Sequence, residues 1–195
     1  MESSYEQLHS LFLGLPELFR YLLVFAFAFG EGLPIIGSFL PGGTVSLLIG
    51  GLSEDGFINP WLAVHIIAIG SLIGDLIGFF AGQKLLHFKK VRDFVYAEKQ
   101  QSKWDLFDRH AALVIIFGKI IPVIRSTPAL FAGARKMHLG EYIFFVLIGS
   151  YLWAIGGIWG GKYLAQYFGS SFIIILVVII ILSIAISIYS HFKNK

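Results

Sequence analysis

Four charged side chains, Glu31, Asp75, Lys119 and Arg125, interrupt otherwise apolar sequence of membrane length, each close to a proline or a glycine stripe. On insertion scales an unpartnered charge at the centre of a bilayer costs about 2.5–3.5 kcal/mol. Four of them together would rival the ~5–15 kcal/mol net stability of a whole domain. A chain built this way must pair these groups, hydrate them or use them. Two acids and two bases sum to zero, which suits a compensated polar cluster at membrane depth.

The rest of the composition agrees. The 195 residues are 56% hydrophobic and 14% charged, with a mean hydropathy of +0.78. A soluble domain is about 25% charged, so the deficit predicts an integral membrane protein, with residues 1–195 as a single membrane domain. Cysteine is absent, which excludes disulfides, thiolate nucleophiles and cysteine-based metal sites. His65, His110 and His138 lack ligand-like spacing, so neither a metal nor a cofactor is expected. The net charge of +3 arises from clusters beside hydrophobic runs. Such clusters orient membrane proteins and attract anionic headgroups; they do not mark a nucleic-acid binder. Glu2 and Glu6 stand where a secretory signal would be positive. The opening residues read as an amphipathic interfacial helix ending near Gly14-Leu15-Pro16.

Three segments read as full transmembrane helices: Trp61 to Gly82, Tyr142 to Gly161, and residues 172–190, which carry no charge. Two further apolar stretches are broken. Tyr21 to Gly30 runs into Glu31-Gly32-Leu33-Pro34 and resumes after Pro41; Ala111 to Gly118 runs into Lys119-Ile120-Ile121-Pro122 and continues past Arg125 and Pro128. Eight to ten residues are too short to span, and proline removes a backbone donor at the break. Broken backbone at membrane depth survives only inside protein or along a wet cavity. The expected fold is therefore all-α and polytopic, with two re-entrant hairpins broken at Pro34, Pro41, Pro122 and Pro128. Two kinked transmembrane helices are the alternative.

The two broken stretches resemble each other, and each is followed by a glycine-striped helix. Gly70, Gly74, Gly78 and Gly82 repeat every four residues; Gly156 and Gly157 precede Gly160 and Gly161 by four. Small residues at that spacing let helices approach closely. Paired interrupted segments are the trace of an inverted repeat with its site at the interface of the halves. The connection over 84–110, with seven Lys or Arg between Lys84 and Arg109, is expected in the cytoplasm. Residues 52–60 then lie outside, and hairpins entering from opposite faces satisfy the charge rule.

These blocks resemble the DedA family, the bacterial branch of the SNARE-associated (VTT) membrane proteins, over roughly residues 20–165. The resemblance rests on Glu31 followed by Phe39-Leu40-Pro41-Gly42, on Gly74-Asp75 with Gly82, on Phe117-Gly118-Lys119-Ile120-Ile121-Pro122-Val123-Ile124-Arg125, and on Pro128, Ala132-Gly133 and Met137. Three positions depart from the family pattern: Gly43 where an acid is usual, Lys119 where Arg is usual, and Phe79 where Tyr is common. The resemblance implies a lipid-handling protein of the bacterial plasma membrane. It implies return of the carrier lipid undecaprenyl phosphate across the bilayer in dependence on a proton or sodium gradient, with eukaryotic relatives that resemble scramblases.

On this reading Arg125, and Lys119 beside it, are the substrate-binding residues. A guanidinium near a helix break can present a bidentate fork to phosphate, whereas Lys keeps the charge and loses the fork. Glu31 and Asp75 are the ion-coupling candidates. The bland alternative makes all four a structural salt-bridge set. Ser71-Leu72-Ile73-Gly74-Asp75 reads as helix packing, and the Trp and Tyr residues as interfacial belt. The expected function is a transporter or flippase of lipid phosphates, not an enzyme. A non-selective phospholipid scramblase, an intramembrane lipid phosphatase and a structural membrane protein are the alternatives; HExxH, GxSxG and a Walker loop are missing. The partners are an anionic lipid and the membrane, with homo-oligomerisation left open.

Overall fold

The computed structural model describes residues 14–34, 37, 42–54, 56, 58–85, 87–89, 98–120, 125 and 127–169. The expected interfacial helix, the transmembrane segment 172–190, Pro41 and Pro122 lie outside these residues. All regular structure among the described residues is helical: α1 (Glu17–Gly32), α2 (Gly42–Glu54), α3 (Pro60–Leu85), α4 (Glu98–Gly118), α5 (Thr127–Ala134) and α6 (Leu139–Phe168).

Local chemistry sets the helix limits. Pro16 caps α1, where its missing N–H is harmless, and Glu17 complements the helix dipole in the first turn. The helix stops because Pro34 forces its predecessor out of the helical region: Leu33 sits at φ −73, ψ 135. Asn59 caps α3, its Oδ1 accepting from the N–H groups of Trp61 (3.0 Å) and Leu62 (3.2 Å). Gly169, at φ +49, closes α6.

Helices α3 and α6 are long and apolar enough to cross a membrane, and both extend a few residues beyond the predicted bounds. The polar connection is helical from Glu98 and runs on through a kink at His110 (φ −131, ψ 29) into the apolar part of α4. Phe107 is the anchor, buried and set edge-on to Phe131 at 6.3 Å.

Polarity is distributed inside out. Ile69, Ile73, Ile77 and Phe80 form an exposed stripe along α3, and Phe144, Ile148, Leu152 and Ile155 one along α6. Glu31, Ser71, Asp75, Lys119, Arg125 and Ser150 are buried between the helices. Exposed apolar stripes of that length suit lipid and not water.

The two halves, α1–α3 and α4–α6, repeat one packing pattern. A Cβ added to Gly50 would collide with the Ile158 carbonyl, and one on Gly161 with that of Leu47. In the other half Gly133 meets the Phe79 carbonyl and Gly82 that of Leu130. Phe79 and Ile158, Gly82 and Gly161, and Gly78 and Gly157 share one offset of 79 residues, so the contacts correspond position by position. Gly70 lies against Ala28, and its counterpart Gly149 against Ile116.

Directions follow from these pairs. Helix α1 runs parallel to α3, since Gly70 meets Ala28 and Gly74 meets Gly32. Helix α2 runs parallel to α6, with Gly43 at Trp153 and Ser46 at Gly157. The long helices are antiparallel: Trp61 at the start of α3 meets Trp159 late in α6 (4.7 Å), while Ser71 and Ser150 share a partner nearer the centre. Thus α1 and α2 oppose each other, and the second helix of each half is packed against the long helix of the other half.

Replacing Gly161 or Gly133 by Leu should remove most folded, monodisperse protein in detergent. The obstacle is backbone, so the cost exceeds the ~1–3 kcal/mol of ordinary overpacking. Gly156→Ala, where an added Cβ meets nothing within 4 Å, should leave Tm unchanged or raise stability by up to about 1 kcal/mol.

Candidate functional site

The site forms where the helix breaks meet the middle of the antiparallel pair. The C-terminal turn of α1 delivers Glu31, and α3 delivers Ser71 and, one turn on, Asp75. Lys119 comes from the turn closing α4, Arg125 from the segment before α5, and Ser150 and Trp153 from α6. The structure brings all four sequence-predicted charges into this one region, each about 5% exposed or less.

They pair one to one. Arg125 NH1 donates to Glu31 Oε2 at 2.7 Å, and Lys119 Nζ meets Asp75 Oδ2 at 2.5 Å. Both bonds cross between halves, with the acids on the first and the bases on the second. Ser71 joins them: its hydroxyl accepts from Lys119 (2.9 Å) and from Arg125 NH2 (3.3 Å) and donates to Asp75 (3.4 Å). One donor and two acceptor sites are all a hydroxyl has.

The two cations differ in how completely they are held. Lys119 has three N–H donors and three acceptors: Asp75, Ser71 and, at 2.5 Å, Ser150. Arg125 has five N–H donors. One meets Glu31 and one, at longer range, Ser71, while Nε is buried with no hydrogen-bond partner among the described residues. Its guanidinium lies 5.1 Å from the Trp153 ring centroid, a cation–π contact. Lys119 is thus locked into the scaffold, and Arg125 keeps capacity for an acceptor.

Pro34 packs beside Gly78, and Pro128, the second residue of α5, against Gly118. Proline is tolerated there because the first helical turn has no internal acceptor to lose. Tyr142 supports the floor: it is buried, stacked on Phe79 at 4.6 Å, and donates to the Asp75 backbone carbonyl at 3.3 Å.

Sequence reasoning passed over Ser71, Ser150 and Trp153. The signal for the serines was present, because they share the 79-residue offset of the glycine stripes. Trp153 carried no signal of its own, since tryptophan near a membrane surface is common.

The VTT domain family model matches residues 40–163, which include Asp75, Lys119 and Arg125 and begin after Glu31. The chain is 30% identical over 141 residues to the uncharacterized membrane protein BU139 of Buchnera aphidicola, covering 70% of this chain and 54% of that one. It is 26% identical over 136 residues to the inner membrane protein YghB of Escherichia coli K12 (68% and 62%). To the uncharacterized membrane protein YbfM of Bacillus subtilis it is 28% identical over 127 residues (62% and 77%). It therefore spans little more than half the length of BU139. No solved structure matches the chain at a significant level.

Neutralising one member of a buried pair should cost more than neutralising both. Asp75→Asn leaves Lys119 uncompensated and should lower stability by about 3–5 kcal/mol; adding Lys119→Met should recover a large part of it. Unfolding in detergent, read as a double-mutant cycle, measures this. With its family match over most of the length and its two membrane-length helices, this chain belongs to the VTT-domain, or DedA, family of bacterial membrane proteins.

Proposed function

We propose that this chain carries a lipid phosphate across the bacterial inner membrane without altering it chemically, with Arg125 as the residue that receives the phosphate. The observation that carries the reading is the unequal satisfaction of the two cations: Lys119 is saturated, whereas Arg125 is buried, ion-paired through NH1, bonded at longer range to Ser71 through NH2, and without a partner at Nε among the described residues. The resemblance of the motifs to the DedA family supports undecaprenyl phosphate as the substrate.

In this proposal the segments α1–α2 and α4–α5 are re-entrant hairpins of an inverted repeat. Supporting this, α2 has 13 residues and α5 has 8, roughly 20 and 12 Å of helix against a hydrocarbon core of about 30 Å. A phosphate entering at Arg125 competes with Glu31 for the guanidinium. Glu31, deprived of its cation in a dry site, takes up a proton rather than remain a buried lone charge. The bond between the halves is thereby released, and rocking of one half against the other exposes the headgroup to the opposite face. When phosphate leaves, Arg125 returns to Glu31 and the proton departs. Asp75 and Lys119 keep their bond throughout and act as the pivot.

Reconstitution in liposomes tests this. Wild-type protein should flip a fluorescent polyprenyl phosphate at least about tenfold faster than protein-free vesicles, and Arg125→Ala should return the rate to background. Arg125→Lys should fall between them. Equal rates for wild type and Arg125→Ala would overturn the proposal. Equal rates for phosphatidylcholine and the polyprenyl phosphate would replace it with scrambling.

A further inference from the structure

Resting on the assignment of Arg125 to the phosphate, we infer that Trp153 is a second ligand-binding residue, whose indole N–H and the Nε–H of Arg125 together form the seat for a phosphate oxygen. Two independent observations lead there. Arg125 Nε and Trp153 Nε1 are the two buried side-chain nitrogens without a hydrogen-bond partner among the described residues, and they belong to side chains in direct contact, the guanidinium lying over the indole at 5.1 Å. A lone buried donor is costly to leave unmade. Two such donors on side chains that touch, one of them a cation, point to an anionic acceptor.

The departure from internal symmetry at this position supports the same conclusion. At the 79-residue offset Trp153 is the counterpart of Gly74. Gly74 is bare because α1 comes down on it through Phe29 and Gly32. In the second half a tryptophan occupies that position on α6, one turn beyond Ser150, and its ring reaches under Arg125. Space for the ring depends on Gly43 at the start of α2, where an added Cβ would stand 3.2 and 3.3 Å from Trp153 Cη2 and Cζ2. The bare Gly43 and the indole thus form one unit, with an aromatic face under the cation.

The chemistry that fits is an oxyanion with several acceptor oxygens, a phosphate monoester or free phosphate. Arg125 supplies charge and Trp153 a neutral, directional donor that does not add to the buried charge. Trp153→Phe is the discriminating variant, because it keeps an aromatic ring at this position and removes the N–H together with the rest of the pyrrole ring.

Binding of dihexanoyl phosphatidate and of inorganic phosphate to the purified protein in detergent tests the inference. Trp153→Phe should weaken both by about tenfold, the effect of one lost hydrogen bond to a charged group, measured at a temperature where the variant is still folded. Tighter binding of phosphatidate than of phosphate would identify a lipid headgroup as the natural occupant; equal or tighter binding of inorganic phosphate would identify the free anion. Gly43→Val, which displaces the ring and leaves it in the protein, should weaken binding as well and serves if Trp153→Phe does not fold. Wild-type affinity in Trp153→Phe, or in Gly43→Val where it is the variant that serves, overturns this inference alone when Arg125→Ala has lost binding. Wild-type affinity in Arg125→Ala overturns the assignment of Arg125 itself.

Discussion

Two ion pairs held away from water dominate this molecule. A guanidinium or an ammonium at such a depth persists only when an anion and further hydrogen bonds compensate it, because desolvation takes away several kcal/mol that water would have supplied. Here the compensation comes from the opposite half each time: α1 and α3 provide carboxylates, and the breaks flanking α4 and α5 provide the cations. The charges that make each half untenable alone are what join them. Ser71 links the two pairs through one hydroxyl.

The scaffold beneath is repetitive, and the buried charges lie where repetition fails. Glycines at matching positions let α2 dock on α6 and α5 on α3 through near contact of backbones, which dispersion and the absence of a Cβ make favourable in an apolar surround. At the charged site the two halves differ. Glu31 and Lys119 follow corresponding helices with opposite charge, Asp75 has the neutral Ala154 as counterpart, and Gly74 is answered by Trp153. Each exception faces the same buried region. Violations of an otherwise consistent pattern are expected at working sites, where stability is given up for chemistry.

Much of the frame was legible in the chain itself. The lengths of apolar runs mark α3 and α6, the fourfold glycines mark the packing stripes, and Leu33-Pro34 marks the end of α1 because proline constrains its neighbour without any help from distant residues. The helical start at Glu98 was not legible, since its polar residues resemble a loop, and Phe107, docked on the core, supplies the stretch with a side chain to bury. Trp153 was equally silent: nothing local distinguishes a packing indole from one lying under a cation.

What the sequence determined alone is the inventory and its cost: four charges of zero sum in a chain too apolar for water, with prolines and glycines dictating where helices break and approach. Which acid meets which base was decided only by the fold. Glu31 and Arg125 are 94 residues apart, and no local rule prefers that bond to one with Lys119. Antiparallel crossing of α3 and α6 sets Ser71, Ser150 and Lys119 together, which commits Lys119 to Asp75 and leaves Arg125 for Glu31. Electrostatic choice of partner depends on distance in space, and distance in space comes from packing.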